Sequence, residues 1–477
     1  MKILFVAAEA TPLAKVGGLA DVIGSLPKAL NMLGHDVQVM IPRYGVIDAL
    51  RYPVRPVINN LNVEVMKTTK PVALRVADLT DGVKVYLVGN DDFSSSGEVY
   101  GGDTLRRFLL FCRAVLEILP RLDWQPEIVH CHDWHTALIP LWLKRNGHNY
   151  VSLFTIHNLA YQGHFDDGFL SDSGLEEDWQ SWPTGAPEPP LNFMSQGILW
   201  ADMVTTVSET YAKEILTPEY GEGLEQLLRY RRENLFGIVD GLDYDEYNPA
   251  TDPLIPATYG FSTLDKRVAN KLALQKQAGL PENADIPLIG MVSRLDEQKG
   301  LDILVDGLDL LLRKTQAQMV ILGKGTKHYY GLLKQAAGRY PQQVAAVLAF
   351  DNALARLIYA GCDIFLMPSR FEPCGLGQLI AMRYGAVPVV RRTGGLADTV
   401  QDLTKGLDKG TGFVFHDYDF EAMSTAVYRA VDAYKHQEAW RKVMKRIMAL
   451  DFSWLSSAKK YESLYHRVLE MKEYARK

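Results

Sequence analysis

Two short segments of similar sequence, one near each end of the chain, carry residues suited to binding an anion. Lys15–Val22 has the sequence Lys-Val-Gly-Gly-Leu-Ala-Asp-Val, and Arg392–Thr399 has the sequence Arg-Thr-Gly-Gly-Leu-Ala-Asp-Thr. Each follows an apolar run and begins a helical pattern, so glycine N–H groups, a helix N-terminus and a Lys or Arg would meet the anion together. Two such loops, at facing strand ends of paired α/β domains, predict a phosphate-binding cleft.

A second pair of cations lies further along the chain. Arg294 and Lys299 follow the apolar run Pro287–Val292, which we predict to be a strand. Two cations at the carboxyl edge of a parallel sheet suit a diphosphate leaving group, because they neutralise its charge as the bond to a sugar breaks, without a metal ion. An ordinary solvated loop is the alternative for this segment.

A glutamate with glycine neighbours follows another predicted strand, Ile364–Met367. At that edge Glu372 could hold sugar hydroxyls or stabilise positive charge that develops on the sugar ring. The N–H groups around Gly375–Gly377 could bind the distal phosphate. Cys374 has no base beside it in the sequence, so we expect a half-buried, unreactive thiol rather than a nucleophile.

Histidines cluster in His130–His135, which invites a metal interpretation. On a strand His130 and His132 share one face, with Asp133 close by. No further ligand cluster is evident in the sequence, and an Asp and a His at the carboxyl end of a strand suit sugar hydroxyls equally well. Thr155–Gly163 follows another predicted strand and brings a second polar set, for which a loop that merely leaves the sheet is the alternative.

The composition argues against several other classes of protein. The 477 residues carry a net charge of −6, so neither nucleic acid nor an anionic membrane is an expected partner. The first apolar run is too short to span a bilayer, and the four cysteines form no Cys-x-x-Cys pair. We therefore expect a cytoplasmic protein, or a mature form that has lost a targeting segment. Ile321–Gly325 resembles a dinucleotide-binding motif, but His328 replaces its third glycine, which disfavours a dehydrogenase.

Short β-branched runs alternate with helical patterns along the chain, which is typical of parallel α/β architecture. We predict a helix over Leu19–Leu33, followed by two series of strands. The first comprises Lys2–Ala8, Val37–Ile41, Glu127–Cys131, Val151–Ile156 and Met203–Val207, and the second Pro287–Val292, Gln318–Leu322, Val344–Ala349, Ile364–Met367 and Val387–Val390. The Pro-rich, acidic Tyr244–Pro256 is the predicted hinge, so the chain divides near residue 242 into two doubly wound halves.

Three further segments need a place in this scheme. Asp91–Asp103, rich in Ser and Gly, and Asp166–Pro190, acidic and Pro-rich, are either surface excursions or lids. Near the end, apolar and aromatic residues from Tyr461 to Leu469 fall on one face of a helix that Ser456-Ser457 would introduce. That face could pack on the first domain or on the second.

Several segments together closely resemble the bacterial glycogen synthases and plant starch synthases. They are Lys15–Asp21, His132–His135, Thr155–Gly163, Ser293–Gly300, Ser369–Gln378, Arg391–Asp398 and Asp451–Trp454. The resemblance implies a GT-B fold, in which two Rossmann-like, doubly wound domains face a deep inter-domain cleft and the final helix crosses back to the first domain. We accordingly predict a Rossmann-like acceptor-side domain over residues 1–241, a nucleotide-sugar-binding domain over 242–455, and a C-terminal helix over 456–477.

The same resemblance implies an activity. It is the retaining transfer of glucose from ADP-glucose to the non-reducing end of an α-1,4-glucan, with ADP as product and with glycogen, starch or a malto-oligosaccharide as acceptor. No metal and no other cofactor is expected. The implied location is the cytoplasm, or the plastid stroma if a transit peptide has been removed.

The resemblance also assigns roles to residues. Lys15 and the amides of Gly17 and Gly18 would lie at the diphosphate with Arg294 and Lys299, His157 would face the reacting sugar, and Glu372 would contact the glucosyl unit. The implied catalytic residues are thus Glu372, His157, Lys15, Arg294 and Lys299. Further implied substrate-binding residues are Asp21, Asp133, Asn158, Asp240, Cys374, Gly375, Leu376 and Gly377.

The chain departs from the family pattern at four positions. Asp240 replaces an Asn, which could weaken donor binding, and Ser195 replaces a Lys, which removes a positive charge near the acceptor side. Gly377 stands where Thr or Ser is common, and Ile380 stands where many retaining relatives carry a second Glu. None of these positions belongs to the implied catalytic set.

Three other functions are consistent with parts of the sequence. One is another retaining GT-B glucosyltransferase that uses UDP-glucose, and one is a non-catalytic glucan-binding or priming protein, which the changes at Asp240, Ser195 and Gly377 motivate. A metal hydrolase built on His130–His135 is the weakest of them. A phosphorylase is disfavoured by length and by the match at Lys15–Leu19.

Overall fold

The apolar run after Met1 forms β1 (Lys2–Val6), whose residues 3–6 are fully buried at the centre of a nine-stranded sheet.

The computed structural model describes residues 1–48, 50–79, 82–95, 97–180 and 182–476. Contacts divide the chain into two units, residues 1–241 with 454–477, and residues 242–453. Ser96 and Ser181, in the two irregular segments, and Lys477, at the end of the predicted C-terminal helix, lie outside the described residues.

The sheet of the first unit has the order β3-β4-β5-β2-β1-β6-β7-β8-β9. Its strands after β1 are β2 (Asp36–Pro42), β3 (Val54–Val65), β4 (Thr68–Asp78), β5 (Lys84–Gly89), β6 (Ile128–His132), β7 (Val151–Ile156), β8 (Met203–Thr206) and β9 (Leu235–Gly237). All neighbouring pairs run parallel except β3–β4 and β4–β5. The carboxyl ends of the central strands therefore share one edge, where parallel α/β sheets place their ligand-binding loops.

Nine helices, α1 to α9, connect the strands of this unit within the described residues. They are α1 (Gly18–Met32), α2 (Asp91–Ser94), α3 (Thr104–Ile118), α4 (Leu138–Arg145), α5 (Asp167–Ser173), α6 (Glu176–Gln180), α7 (Phe193–Trp200), α8 (Glu209–Glu214) and α9 (Glu225–Tyr230). The two segments without a sequence-based assignment thus contain short helices: α2 in the first, and α5 and α6 in the second.

The β3–β4 hairpin is absent from the sequence-based prediction. Its strands are joined at Met66 and Lys67, which both have positive φ, at 49° and 58°. Two consecutive residues with positive φ form the tight turn that matches the twist of a hairpin, and this turn usually carries Asn or Gly. Met and Lys give no such signal, so the turn could not be recognised.

The second unit contains a six-stranded parallel sheet in the order β12-β11-β10-β13-β14-β15. The strands are β10 (Leu288–Val292), β11 (Gln318–Leu322), β12 (Val344–Val347), β13 (Ile364–Met367), β14 (Val387–Arg391) and β15 (Phe413–Phe415). The helices are α10 (Arg267–Gln277), α11 (Leu301–Thr315), α12 (Lys327–Arg339), α13 (Asn352–Gly361), α14 (Gly377–Arg383), α15 (Gly394–Thr399), α16 (Phe420–Tyr434) and α17 (Gln437–Met448). Both units are therefore Rossmann-like, as the sequence predicts.

The segment predicted as a hinge, residues 244–256, is folded onto the second unit. The Tyr244 hydroxyl accepts from the Phe452 amide at 2.8 Å and donates to the Leu450 carbonyl at 3.1 Å. Asp252 is buried and accepts a hydrogen bond from the hydroxyl of Tyr384 at 2.5 Å. These contacts make the segment part of that unit's packed body.

The last helix, α18 (Trp454–Arg476), packs on α1 and β7 of the first unit. Its Tyr465 hydroxyl lies 2.8 Å from Nδ1 of His130 in β6, and its Ser457 hydroxyl donates to the Val239 carbonyl at 2.7 Å. The helix begins at Trp454, two residues before the predicted start, so Ser456 and Ser457 lie inside it rather than introducing it. Among the described residues, no helix combines the length and apolar character that crossing a bilayer requires.

Candidate functional site

The candidate residues of the first unit lie on three loops at the carboxyl edge of its sheet. Lys15, Gly17 and Gly18 precede or begin α1, which follows β1. Asp133 directly follows β6, and His157 directly follows β7, which pairs with β6. Parallel strands end at the same edge, so the fold brings together residues that are more than a hundred positions apart in the sequence.

The Gly17 amide of the first glycine loop has an acceptor within the protein. Oε2 of Glu9 accepts hydrogen bonds from the amides of Val16, at 2.5 Å, and Gly17, at 3.1 Å. Oε1 of Glu9 accepts from the Tyr100 hydroxyl at 2.8 Å. Burial raises the pKa of Tyr100, and the Glu9 carboxylate raises it further, so the hydroxyl keeps its proton and donates. A carboxylate of the chain itself therefore accepts from the Gly17 amide, one of the two amides that the sequence predicted would face a ligand.

The Lys15 cation is also paired within its own loop. Its Nζ lies 2.5 Å from Oδ1 of Asp21, and the Lys15 side chain is 43% exposed. An exposed ion pair contributes little to stability, so Lys15 can exchange Asp21 for a stronger anion at small cost. Lys15 and Asp21, which the resemblance places near the substrate, are thus direct neighbours.

Asp133 has a strained backbone and a perturbed carboxyl group. Its φ of 57° and ψ of 177° lie in a region that is almost reserved for glycine and costs about 1–3 kcal/mol. Its Oδ1 accepts a hydrogen bond from the His157 amide at 2.7 Å. Burial raises the pKa of Asp133 to about 7, and hydrogen bonds from the His157 and Asn158 amides oppose this rise. The strained residue lies directly after β6, and its side chain holds the first residue of the loop that follows β7.

The histidines near Asp133 are neutral; His130, His132 and His135 are buried, and His157 is partly buried. Burial lowers the pKa of His135 and of His157 to about 3. His130 is paired on both ring nitrogens, with the Tyr465 hydroxyl and with Oγ1 of Thr155 at 2.6 Å. Across the described residues, no three His, Cys, Asp or Glu side chains are grouped as metal ligands. His130 and His132 share a face as expected, but in a hydrogen-bonded core.

In the second unit, Lys299 and Glu372 are brought into direct contact. Nζ of Lys299 lies 2.6 Å from Oε2 of Glu372, and the Ser369 hydroxyl donates to the same oxygen at 3.0 Å. The side chains are only 16% and 7% exposed, respectively. Lys299 ends a 3-10 turn after β10, and Glu372 follows β13, the strand that pairs with β10.

Arg294 points elsewhere in the same loop. Its guanidinium donates to Oε1 of Gln298 at 2.5 Å and lies 3.1 Å from Oδ2 of Asp296. The side chain is half exposed. Arg294 and Lys299 therefore follow one strand, but only Lys299 is held against the Glu372 carboxylate.

The glycines of the second Gly-Gly loop lie against the backbone of the Glu372 segment. The Gly395 amide donates to the Glu372 carbonyl at 3.1 Å. A Cβ at Gly394 would come within 1.9 Å of that carbonyl oxygen, and a Cβ at Gly395 within 2.0 Å of the Cys374 carbonyl oxygen. Arg391 also donates to the Arg370 carbonyl. The loop thus supports Glu372 through close backbone packing, a role that the sequence did not predict.

The remaining candidate residues of this unit follow Glu372 directly. Cys374 is buried, Gly375 has a φ of 77°, and Leu376 leads into α14, which begins at Gly377. A Cβ at Gly377 would lie 3.1 Å from the Phe365 ring, so the Thr or Ser that the family resemblance leads us to expect there would need a small local shift. Asp240, in the first unit, is buried just before Gly241.

Comparison with known proteins identifies the family. The family described as "Starch synthase catalytic domain" matches residues 2–230, and "Glycosyl transferases group 1" matches residues 274–446. A glycogen synthase of Geotalea daltonii is 47% identical over 99% of this chain and 100% of its own length. The chain belongs to the glycogen synthase family. A second member, from Moorella thermoacetica, is 46% identical over 100% of this chain and 98% of its own length.

The fold agrees with this membership in the glycogen synthase family. The catalytic domain of starch synthase IV from Arabidopsis thaliana, solved bound to ADP and acarbose, has a TM-score of 0.89 and 34% identity, covering 98% of this chain and 99% of its own. The chain is therefore a GT-B glycosyltransferase of the glycogen and starch synthase type, as the sequence resemblance implies.

The structure gives a different interpretation of one departure from the glycogen synthase pattern, Ser195. Ser195, where the family resemblance leads us to expect Lys, is fully buried near the start of α7. Its hydroxyl donates to the carbonyls of Asn192, at 2.7 Å, and Pro190, at 3.0 Å. The position contributes to a helix start in this chain, and a charged side chain there would have to displace these bonds.

Sequence reasoning missed two residues that the fold places against the candidate site, Glu9 and Tyr100, and it considered His132 only as a possible metal ligand. Glu9 holds the first glycine loop, Tyr100 holds Glu9, and His132 holds the ring of His157. Glu9 gave one usable signal, because it is an acidic residue directly after a buried strand and its following alanine pair. Tyr100 lies in the Ser- and Gly-rich excursion, and nothing local in the sequence connects it to residue 9.

Proposed function

We propose that the chain transfers glucose from ADP-glucose to the non-reducing end of an α-1,4-glucan, with retention of configuration at the anomeric carbon. The observation that carries this proposal is the buried Lys299–Glu372 pair, 2.6 Å apart, at the carboxyl edge of the second sheet. It offers a cation for a departing diphosphate and a carboxylate for a sugar that becomes positively charged. The Arabidopsis relative bound to ADP and acarbose supports ADP as the nucleotide product.

The proposed reaction exchanges one bond at the anomeric carbon. The bond from C1 to the diphosphate oxygen breaks, a bond from C1 to the acceptor's 4-oxygen forms on the same face, and the acceptor's hydroxyl proton leaves with ADP or to water. Charge increases on the diphosphate as the bond breaks, so fixed cations lower the barrier more than they lower the energy of bound substrate.

In the second unit we assign Lys299 and Arg294 to the diphosphate and Glu372 to the glucosyl unit. Lys299 is fixed by its contact with Glu372, whereas the guanidinium of Arg294 is half exposed and contacts Gln298 and Asp296 of its own loop. The proposed substrate-binding stretch that follows consists of Cys374, Gly375, Leu376 and Gly377. The proposal needs no metal ion and no other cofactor, because side-chain cations neutralise the leaving group.

In the first unit we assign His157 to the reacting sugar and Lys15 to the diphosphate. The His157 backbone is fixed by Asp133, whose carboxyl group accepts from its amide. Further proposed substrate-binding residues of this unit are Gly17, Gly18, Asp21, Asp133, Asn158 and Asp240. Because Glu9 uses the Gly17 amide, we assign to this glycine the role of shaping the loop that presents Lys15.

The proposed acceptors are glycogen, starch or malto-oligosaccharides, and the proposed compartment is the cytoplasm. The relatives named glycogen synthase support the first assignment. All four cysteines are buried thiols and none forms a disulfide, which is usual in a reducing compartment and supports the second assignment.

A donor competition assay tests the proposal. Purified full-length protein is incubated with glycogen and either ADP-glucose or UDP-glucose carrying labelled glucose, and the polymer is then digested with β-amylase. We expect incorporation mainly from ADP-glucose and release of the label as maltose, because β-amylase removes α-1,4-linked units from non-reducing ends.

Two results would contradict the proposal. Higher kcat/KM with UDP-glucose would make the chain a different glucosyltransferase, and glycogen binding without transfer from either donor would make it a glucan-binding protein. Glu372→Gln and Lys15→Ala, one from each unit, should each lose transfer at least a hundredfold, on the order expected when one transition-state contact is removed.

A further inference from the structure

A buried histidine at the end of one strand and a partly buried histidine just after the neighbouring strand share a ring-to-ring hydrogen bond. Nδ1 of His132, the last residue of β6, lies 3.0 Å from Nε2 of His157, which follows β7. We propose that His132 is a positioning residue that holds the His157 imidazole in the tautomer with its proton on Nδ1. The inference rests on the proposed function, since His157 is there assigned to the reacting sugar.

Both rings are neutral, so the bond has one donor and one acceptor. Burial lowers the pKa of His157 to about 3. Burial and the neighbouring rings of His130 and His157 also lower the pKa of His132 well below its ordinary value. A neutral imidazole carries one N–H and one lone pair. Either His132 donates from Nδ1, or His157 donates from Nε2.

The other nitrogen of His132 decides between these arrangements. His132 is fully buried, and its Nε2 has no hydrogen-bond partner among the described residues. Its ring stacks on Phe5, with 5.2 Å between the ring centres and 21° between the planes. If His132 accepted, Nε2 would carry an orphaned N–H, and buried N–H groups without a partner are rarer than buried lone pairs without one. Donation from Nδ1 of His132 is therefore favoured.

The nearest competing histidine cannot disturb the pair. The His130 ring centre lies 4.1 Å from that of His132, but its Nδ1 is bonded to the Tyr465 hydroxyl and its Nε2 to Oγ1 of Thr155. Among the described residues, the hydrogen-bond partner of the His132 ring is consequently His157. Which of the two rings donates therefore depends on the unpartnered Nε2 of His132, which is better left without a proton.

This arrangement leaves His157 with a defined donor. Its Nε2 accepts from His132, so its proton lies on Nδ1, for which the described part of the chain supplies no acceptor. Asp133 meanwhile holds the His157 backbone through its amide. Ring and backbone are both fixed from β6, and the Nδ1–H group is available to a sugar oxygen without having to reorganise during the reaction.

Nuclear magnetic resonance of the full-length protein tests the tautomer directly. The protein is labelled with 15N-histidine, and the His157 ring signals are assigned by their loss in His157→Gln. We expect Nδ1 to give a signal of a protonated nitrogen and Nε2 that of an unprotonated one. The reverse pattern would overturn the inference. This readout does not depend on catalysis, so it can fail or succeed whether or not glucose is transferred.

Two substitutions at His132 test what the tautomer does. His132→Phe removes the donor but fills the space, and we expect mixed tautomers at His157 and a kcat about tenfold to a hundredfold lower, with KM for glycogen little changed. His132→Asn keeps an amide donor close to the original Nδ1 and should recover at least half of that loss on a logarithmic scale. If His132→Phe does not fold, the His157 tautomer in the wild-type protein and in His132→Asn still tests the inference.

Tyr465→Phe is the matched control. It removes another buried hydrogen bond to a β6 histidine, at His130, and touches neither His132 nor His157. We expect lower stability but an unchanged His157 tautomer and unchanged kcat. Wild-type kcat in a folded His132→Phe protein, or an equal loss of kcat in Tyr465→Phe, would show that His132 has only a structural role.

Discussion

The ammonium nitrogen of Lys299 lies 2.6 Å from Oε2 of Glu372, and both side chains are largely buried in the second unit. The Ser369 hydroxyl donates to the same oxygen, and the Gly395 amide donates to the Glu372 backbone carbonyl. Side chain and backbone of Glu372 are thus held by different elements. The fold itself fixes a cation and a carboxylate together at the end of β13.

Removing the Lys299 cation should cost stability as well as activity. In Lys299→Met the buried Glu372 carboxylate loses its counter-charge, so we expect the free energy of unfolding to fall by about 3 kcal/mol. The double variant Lys299→Met, Glu372→Gln should recover most of this stability, because no buried charge remains unpaired, yet stay inactive. Urea unfolding and transfer assays measure the two effects.

Arg294→Met provides the comparison for that pair. Arg294 is half exposed, so the free energy of unfolding should change by no more than about 0.5 kcal/mol, while transfer falls. Equal stability losses in Lys299→Met and Arg294→Met would mean that the Lys299–Glu372 contact contributes nothing beyond an exposed ion pair.

Gly395→Ala should displace the Glu372 segment. The new methyl group would meet the Cys374 carbonyl oxygen at 2.0 Å, and backbone cannot move aside as a side chain can. We expect a destabilisation of about 3 kcal/mol and loss of transfer. Gly331→Ala is the control, because it lies in α12 with no atom within 4 Å of the new Cβ, and it should stabilise the protein by up to about 1 kcal/mol.

Glu9→Gln should loosen the first glycine loop. The amide cannot offer two acceptor oxygens, so it loses a hydrogen bond from the Val16 and Gly17 amides or from the Tyr100 hydroxyl. We expect a loss of about 1–3 kcal/mol in the free energy of unfolding and a higher KM for the sugar nucleotide. Tyr100→Phe removes only the hydroxyl and its one hydrogen bond to Glu9, so its effect on both measurements should be smaller. A larger effect of Tyr100→Phe than of Glu9→Gln would mean that Glu9 does not hold the loop.

The Asp133 carboxyl group should make stability depend on pH. Its pKa is raised to about 7 in the folded chain by burial, above the value of 3.8 for an exposed Asp. The stability associated with its neutral form is complete below about pH 4 and is lost as the pH rises toward 7, because ionisation then costs more in the folded state than in the unfolded one.

Asp133→Asn tests this sign. Its amide oxygen can still accept from the His157 amide, and Asn has the same shape as Asp, so the backbone strain at this position is the same in both proteins. The variant's free energy of unfolding relative to wild type should increase by a few kcal/mol between pH 4 and pH 7. A difference that stays constant with pH, in denaturant unfolding at fixed ionic strength, would mean that Asp133 does not titrate in this range.

Much of the site's location could be predicted from the chain. The β1 strand, the helix after Gly17 and the strands before Lys299 and Glu372 have strong local patterns, and parallel strands end at a common edge. Local patterns therefore indicated which loops carry the chemistry. Recognition of the family came from the same loops, since short motifs such as Ser369–Gln378 are contiguous in the sequence.

The pairing of side chains had to come from the tertiary structure. Glu9 with Tyr100, His132 with His157, and Gly395 with Glu372 each join residues 20 to 100 positions apart. Such contacts depend on strand order, on rotamers and on which groups are buried without water, none of which leaves a periodic signal. The two Gly-Gly-Leu-Ala-Asp loops show the difference most clearly. Their sequences are nearly the same, but Glu9 lies against the amides of the first, and the backbone of Glu372–Cys374 lies against the glycines of the second, because different neighbours surround the same local device.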